Sequence, residues 1–92
     1  MKQFVLVSYD ISSDRRRLKV MKLLEGYGDH VQFSVFECRL EPGDLDTLRR
    51  KLKKLAGRQD SVRLYYLGQN DVGRIEIIGT GMVLPERGVF LF

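Results

Sequence analysis

Hydrophobic and polar residues change period several times along the chain, and each period predicts one element. The first segment is an apolar run from Phe4 to Val7, which is too short for an independent helix and lacks polar alternation. It predicts a buried strand that ends at an acidic residue, Asp10. Both parities of this strand are largely apolar, so both faces of the resulting sheet need to be covered.

A helical period follows the first strand. Ser12 and Ser13 can cap the first backbone N–H groups of a helix, and the acid after them lies where the helix dipole favours negative charge. We predict a helix from about Asp14 to Glu25, ended by Gly26. Its apolar stripe consists of Leu18, Val20, Met21, Leu24 and Tyr27.

The segment from His30 to Leu40 is rich in residues that favour strands, but its apolar phase changes. Apolar positions up to Val35 share one parity, and those from Phe36 onward share the other. Because a regular strand keeps its parity, this change predicts a bend or bulge near Ser34 and two short strands that turn back on each other.

The second half of the chain repeats the alternation of helix and strand. Pro42-Gly43-Asp44 predicts a loop that ends in an N-cap, and leucines at helical spacing predict a helix that ends before Gly57. A strand is predicted over Ser61–Leu67, a polar turn over Gln69–Asp71 and a last alternating strand over Arg74–Ile78. The leucines are Leu45, Leu48, Leu52 and Leu55.

This element order predicts an α+β fold. The economical arrangement is a ferredoxin-like βαββαβ sandwich with an additional C-terminal strand, in which two helices cover one face of an antiparallel sheet. The other face is then bare, and a second copy of the chain in a homodimer is its expected cover. We expect a ferredoxin-like domain at residues 1–78 and a C-terminal tail at residues 79–92 that packs on the partner subunit.

Composition adds few constraints. The chain has 92 residues, and 16 basic against 12 acidic side chains give a formal charge of +4. The single cysteine, Cys38, cannot form an internal disulfide, and we expect it to be a small buried residue. Neither a leader pattern nor a membrane segment is evident, so we expect a cytoplasmic protein without membrane contact.

Candidate chemistry centres on Asp10 and on two basic helix faces. A carboxylate at the rim of a sheet can hold a hard metal ion, although it can also simply stabilise a turn. Dense basic side chains favour phosphate contacts that do not depend on base sequence, although a solvated helix face is the usual alternative. The candidates for nucleic-acid binding are Arg15, Arg16, Arg17, Lys19, Arg50, Lys53 and Lys54.

Two motifs resemble the CRISPR-associated Cas2 family, the small nuclease-like subunit of the spacer-acquisition machinery. They are VLVSYDI at Val5–Ile11, followed by an arginine-rich helix start, and VQFSVFE at Val31–Glu37. The resemblance implies a ferredoxin-like homodimer that acts as a divalent-metal-dependent endonuclease on RNA or duplex DNA. It also implies that Asp10 is the catalytic metal ligand, that it faces its symmetry mate, and that the ion is Mg²⁺ or Mn²⁺.

Several points remain open at the level of sequence. In much of the family a basic residue precedes the Val-Gln pair, whereas this chain has His30, so a phosphate contact there is not implied. Ser34 is a possible site contact. The resemblance also allows a non-catalytic dimer that bridges the Cas1 integrase and supports protospacer DNA. A small-molecule sensor, or a toxin-like nuclease unrelated to CRISPR, is a more remote alternative.

Overall fold

Four strands form one antiparallel sheet in the computed structural model, which describes residues 2–80. The elements are β1 (Gln3–Asp10), α1 (Asp14–Glu25), β2 (Gly28–Gln32), β3 (Val35–Leu40), α2 (Pro42–Leu55), β4 (Ser61–Leu67) and α3 (Gln69–Val72). The strands lie in the order β2-β3-β1-β4. This βαββαβ order and sheet topology confirm the predicted ferredoxin-like fold.

The hydrophobic core lies between the sheet and the two long helices. Alternate residues of β1 and β3 point into it, among them the fully buried Val5, Val7 and Phe36. From α2 the core receives Leu48 and Leu52, which follow the predicted helical spacing. Because the side chains of β1 and β3 are buried on this face, it supplies most of the apolar burial of the described residues.

Helix α1 begins and ends where the sequence predicts. The Ser13 hydroxyl accepts a hydrogen bond from the backbone N–H of Arg16, and Gly26 is the C-cap residue. The Arg16 side chain then joins α1 to the start of β4, because its Nε and Nη2 donate to the two Asp60 oxygens at 2.8 and 3.2 Å.

The predicted hairpin is confirmed, but it begins earlier than His30. Strand β2 starts at Gly28, and its register with β3 shifts between His30 and Gln32, which is the irregularity that the change of apolar phase indicates. The His30 ring stacks on Phe36 with centroids 4.4 Å apart, and its Nε2 lies 2.8 Å from the Phe33 carbonyl oxygen.

Three predictions about the second half are wrong in detail. Pro42-Gly43-Asp44 is not a loop, because α2 begins at Pro42 itself, where proline lacks only an N–H that a first turn leaves unpaired. Gln69–Asp71 is not a turn but most of the short helix α3. Arg74–Ile78 is not a strand, and within residues 2–80 no strand follows β4. The rest of the predicted tail lies outside the described residues.

The sheet face opposite the helices is only partly covered within the described chain. Leu6 and Val35 are half-buried there, and the Tyr65 side chain is 46% exposed. Ile77 lines the same open groove, which has a volume of about 630 Å³. Residues 2–80 contain no helix that is both long and apolar enough to cross a lipid bilayer.

Candidate functional site at the end of the first strand

Asp10 is the last residue of β1 and is exposed at the edge of the open face. Its Cα pairs with Ser61 in β4, and the preceding pair on this face is Ser8 with Arg63. Together with Tyr65 these residues line a cleft of about 260 Å³. The antiparallel register thus places one carboxylate, one guanidinium group and the hydroxyl groups of Ser8, Ser61 and Tyr65 in one small concave site.

The two charges of this cleft do not neutralise each other. The Asp10 carboxylate forms no hydrogen bond or ion pair with any residue of the described chain. The Arg63 Nη1 donates instead to the Tyr65 hydroxyl at 3.4 Å, a hydrogen bond that raises the pKa of Arg63. The Asp10 carboxylate therefore lies beside the Arg63 guanidinium group, and most N–H donors of that group form no hydrogen bond with residues 2–80.

Sequence reasoning missed the β4 half of this cleft. The sequence predicts the strand Ser61–Leu67, and Val62 and Leu64 mark its apolar parity. The opposite parity, which includes Arg63 and Tyr65, carries the available signal. Only the pairing of β4 with β1 shows that this parity lies beside Asp10.

Tyr9 connects the cleft to the β2–β3 hairpin. Its backbone N–H donates to the Ser34 carbonyl oxygen at 3.1 Å, and its hydroxyl donates to the Phe33 carbonyl oxygen at 3.4 Å. Burial raises the pKa of Tyr9. Ser34 therefore adjoins the end of β1 through its backbone, whereas its hydroxyl is not among the groups that line the cleft.

Two of the predicted phosphate-binding arginines have intramolecular partners. Arg16 is bound to Asp60, whose side chain is only 1% exposed and whose pKa this guanidinium holds below its usual range. Arg17 donates to the Ile11 carbonyl oxygen at 2.9 Å and pairs with Asp14. Arg17 therefore holds the β1–α1 connection next to Asp10, whereas Arg16 joins α1 to the start of β4.

The remaining candidates lie on the helical layer. Arg15 and Lys19 are exposed on α1, and Lys53 and Lys54 are exposed on α2. Arg50 is also exposed, with its Nε 3.9 Å from the carboxylate of Asp46 one turn earlier. Since the helices cover the face opposite the cleft, the structure does not bring these side chains together with Asp10.

The oxygen groups of the cleft fit a magnesium ion only in part. No group of three potential metal-ligating side chains occurs within residues 2–80. The described chain supplies one carboxylate, Asp10, and the hydroxyls of Ser8 and Ser61. Mg²⁺ often binds through one or two carboxylates with waters and phosphate oxygens, so this donor set has the correct chemistry but leaves positions for other ligands.

Cys38 and His30 lie outside the cleft. Cys38 is fully buried in the core, and burial raises the pKa of its thiol to about 12, which confirms the prediction of a packing residue rather than a nucleophile. The His30 ring stacks on Phe36, and its Nε2 is within hydrogen-bond distance of the Phe33 carbonyl oxygen.

Fold and cleft together define a class: small ferredoxin-like α+β proteins with a free carboxylate at the end of the first strand. The family model described as CRISPR associated protein Cas2 matches residues 1–75. The chain therefore belongs to the Cas2 family, as the two sequence motifs indicate.

Three individual proteins illustrate the similarity. The chain is 52% identical over 80 residues to the CRISPR-associated endoribonuclease Cas2 1 of Chloroflexus aurantiacus, covering 85% of this chain and 86% of the relative. The crystal structure of Streptococcus pyogenes Cas2 gives a TM-score of 0.72 at 36% identity, covering 83% of this chain and 99% of that chain. A chain of a partial Cas6-RT-Cas1–Cas2 complex gives a TM-score of 0.72 at 28% identity, covering 83% and 90%.

Proposed function

We propose that this protein is a divalent-metal-dependent endonuclease that hydrolyses phosphodiester bonds of RNA or duplex DNA during CRISPR spacer acquisition in the cytoplasm. The observation that carries the proposal is Asp10, an exposed carboxylate at the end of β1 that has no side-chain partner among residues 2–80. The name of the Chloroflexus relative, an endoribonuclease, favours RNA as the first substrate to test.

The proposed active unit is a homodimer. Leu6, Val35 and Tyr65 leave an apolar surface on the open face that a second copy would bury. Asp10 lies at the edge of that face, so a two-fold axis near the cleft would bring two carboxylates together. Two carboxylates with water and phosphate oxygens make a better Mg²⁺ or Mn²⁺ site than one.

Each part of the proposed site has a separate chemical role. A bound divalent ion supplies Lewis acidity toward the phosphodiester and lowers the pKa of water. Asp10 would hold that ion, and the hydroxyls of Ser8 and Ser61 can donate hydrogen bonds to phosphate oxygens. The hydrogen bonds from Tyr9 to the hairpin keep the end of β1 in place.

The first test is Asp10→Asn, which preserves shape but removes the negative charge. We expect the rate of metal-dependent RNA cleavage to fall by at least about 100-fold, because the ion loses its only carboxylate ligand from that chain. The control is Asp44→Asn, which removes another exposed carboxylate, in the first turn of α2. Cleavage that continues in Asp10→Asn, or that needs no divalent ion, would contradict the proposal.

Mixed dimers test whether the two subunits share one ion. If each site needs Asp10 from both chains, an equal mixture of unmodified and Asp10→Asn protein keeps about one quarter of the activity after subunit exchange. Independent sites would keep about one half. The measurement is the cleavage rate against the fraction of variant at constant total protein.

A second candidate function is a dimeric adaptor that bridges Cas1 and supports protospacer DNA without cleaving it. It is favoured by the similarity to a chain of a complex that contains Cas1 and Cas2. The exposed basic side chains of α1 and α2 would then contact DNA phosphates. In this case Asp10→Asn leaves spacer integration intact, whereas charge removal at Arg15, Lys19, Lys53 and Lys54 lowers DNA affinity and reduces its dependence on salt.

A further inference from the structure

We propose that Arg63 binds a phosphate of the substrate strand in the Asp10 cleft and that Tyr65 positions its guanidinium group. This inference rests on the proposed nucleic-acid substrate, and it assigns a substrate contact to β4. None of the basic residues that the sequence singled out lies in this cleft.

The sheet register places Arg63 close to Asp10. Ser8 pairs with Arg63, and Asp10 pairs with Ser61, so Arg63 is the diagonal neighbour of Asp10 on the same face. Diagonal neighbours in an antiparallel pair are about 7–8 Å apart, which long side chains can span. A phosphate in the cleft would therefore lie within reach of both residues.

The charges in the cleft also favour a phosphate contact with Arg63. Without a bound divalent ion, the Asp10 carboxylate repels a phosphodiester, so a cation beside it favours close approach of a strand. Arg63 is the only basic residue that lines the cleft as described by residues 2–80. Its planar guanidinium has five N–H donors, which suit phosphate oxygens, and it forms no ion pair with any described residue.

A comparison with Arg16 shows why this arginine is available. Arg16 gives both its Nε and its Nη2 to the almost fully buried Asp60, and the two groups form a fixed structural pair. Arg63 has a single, long hydrogen bond to a neutral hydroxyl. The bond to Tyr65 orients the guanidinium without neutralising it.

The test combines a protein variant with a modified strand. Arg63→Met removes the charge and keeps the length of the side chain, and Arg58→Met is the matched control at an exposed arginine outside the cleft. Binding is measured with the divalent ion withheld, so that the strand stays intact. The probes are oligoribonucleotides in which one phosphate at a time is replaced by a neutral methylphosphonate.

We expect Arg63→Met to weaken binding about 10-fold and to reduce the salt slope by about one. At one position the methylphosphonate should cost the unmodified protein the same affinity and cost Arg63→Met nothing further. Arg63→Lys should recover part of the affinity, and Tyr65→Phe should lose less than Arg63→Met does. Cleavage with metal is then compared for the same strands.

Three outcomes would overturn the inference. Arg63→Met could bind like Arg58→Met, it could lose the same affinity at every methylphosphonate position, or it could bind weakly only because its subunits dissociate in sedimentation. These outcomes are separable from failure of the proposed function. An unmodified protein that never cleaves would contradict the nuclease proposal, whereas the binding comparison would still decide the role of Arg63.

Discussion

The two faces of the sheet differ in how their side chains are used. On the face covered by α1 and α2, Val7 and Phe36 are completely buried in a cluster made mostly of aliphatic and aromatic side chains. On the open face, Ser8 and Arg63 lie next to apolar residues that stay partly exposed. The covered face therefore stabilises the fold, and the open face is available for association and chemistry.

The arginines of the two regions also differ in whether groups of their own chain bind them. Arg16 and Arg17 are on α1, next to the first strand, but both are occupied by groups of their own chain. Arg63 is on the open face and forms no ion pair with any residue in the described range 2–80. Proximity along the sequence to Asp10 is thus a poor guide to which cations can reach a ligand, because the direction of each side chain is fixed by its element.

The largest expected effect is on the covered face. Leu48→Ala should lower the free energy of unfolding by about 3 kcal/mol, because it leaves a cavity among fully buried side chains. The matched change on the open face, Leu6→Ala, should cost the monomer about 1 kcal/mol or less, since Leu6 is already partly in water. Urea denaturation of both variants gives the comparison.

Measurements at several protein concentrations make the comparison of Leu48→Ala with Leu6→Ala more specific. If a second copy covers the open face, the cost of Leu6→Ala appears mainly as weaker dimerisation, measured by sedimentation at several concentrations. Equal unfolding costs for the two leucines would show that the faces are not energetically distinct.

The next effect concerns the close contact between β2 and β3. A Cβ added at Gly28 would lie 2.5 Å from the Cys38 sulfur and still closer to the Glu37 carbonyl oxygen. Gly28→Ala should therefore destabilise the protein by about 2 kcal/mol, because β2 must move away from β3 to make room for the methyl group. The measurement is thermal or urea denaturation.

Gly43 provides the control for this change. An added Cβ there meets nothing within 4 Å, and Gly43 lies in the first turn of α2. Gly43→Ala should stabilise the protein by less than about 1 kcal/mol, through lower chain entropy of the unfolded state. A neutral Gly28→Ala would mean that the strands can move apart without loss.

The smallest effect depends on pH. The pKa of Asp60 is lowered in the folded state by Arg16, so this pair contributes stability above the pKa of an unfolded aspartate, about 4, and the contribution is lost as pH falls through the lower folded value. Arg16→Gln should reduce stability at neutral pH and flatten the decline toward pH 3, measured by urea denaturation at several pH values.

Arg15→Gln is the matched control, because it removes the same charge from an exposed neighbour. Its stability should change little and its pH profile should keep the original slope. Parallel profiles for the unmodified protein and Arg16→Gln would show that the Asp60 pair contributes nothing to stability in solution.

Periodicity and caps predicted much of the fold. Ser13 and Gly26 bound α1, and the leucine spacing identified the buried side of α2. One error fell at the start of α2, where Pro42 can begin a helix as readily as a loop, and two others gave the wrong element type, at Gln69–Asp71 and at Arg74–Ile78. Asp10 was identified as the candidate carboxylate through its place after a buried strand and through the motif around it.

Amino-acid sequence by itself determined the alternation of strands and helices, the parity of each strand and the family, because these depend on local spacing and residue type. Only the tertiary structure placed Arg63 and Tyr65 beside Asp10, from which they are 53 and 55 positions away in the chain. It also paired Arg16 with Asp60, which is 44 positions away. Strand pairing depends on residues far apart in the chain, which together bury the side of the sheet that faces the helices. No local pattern shows which side chains will share a cleft once that face is buried.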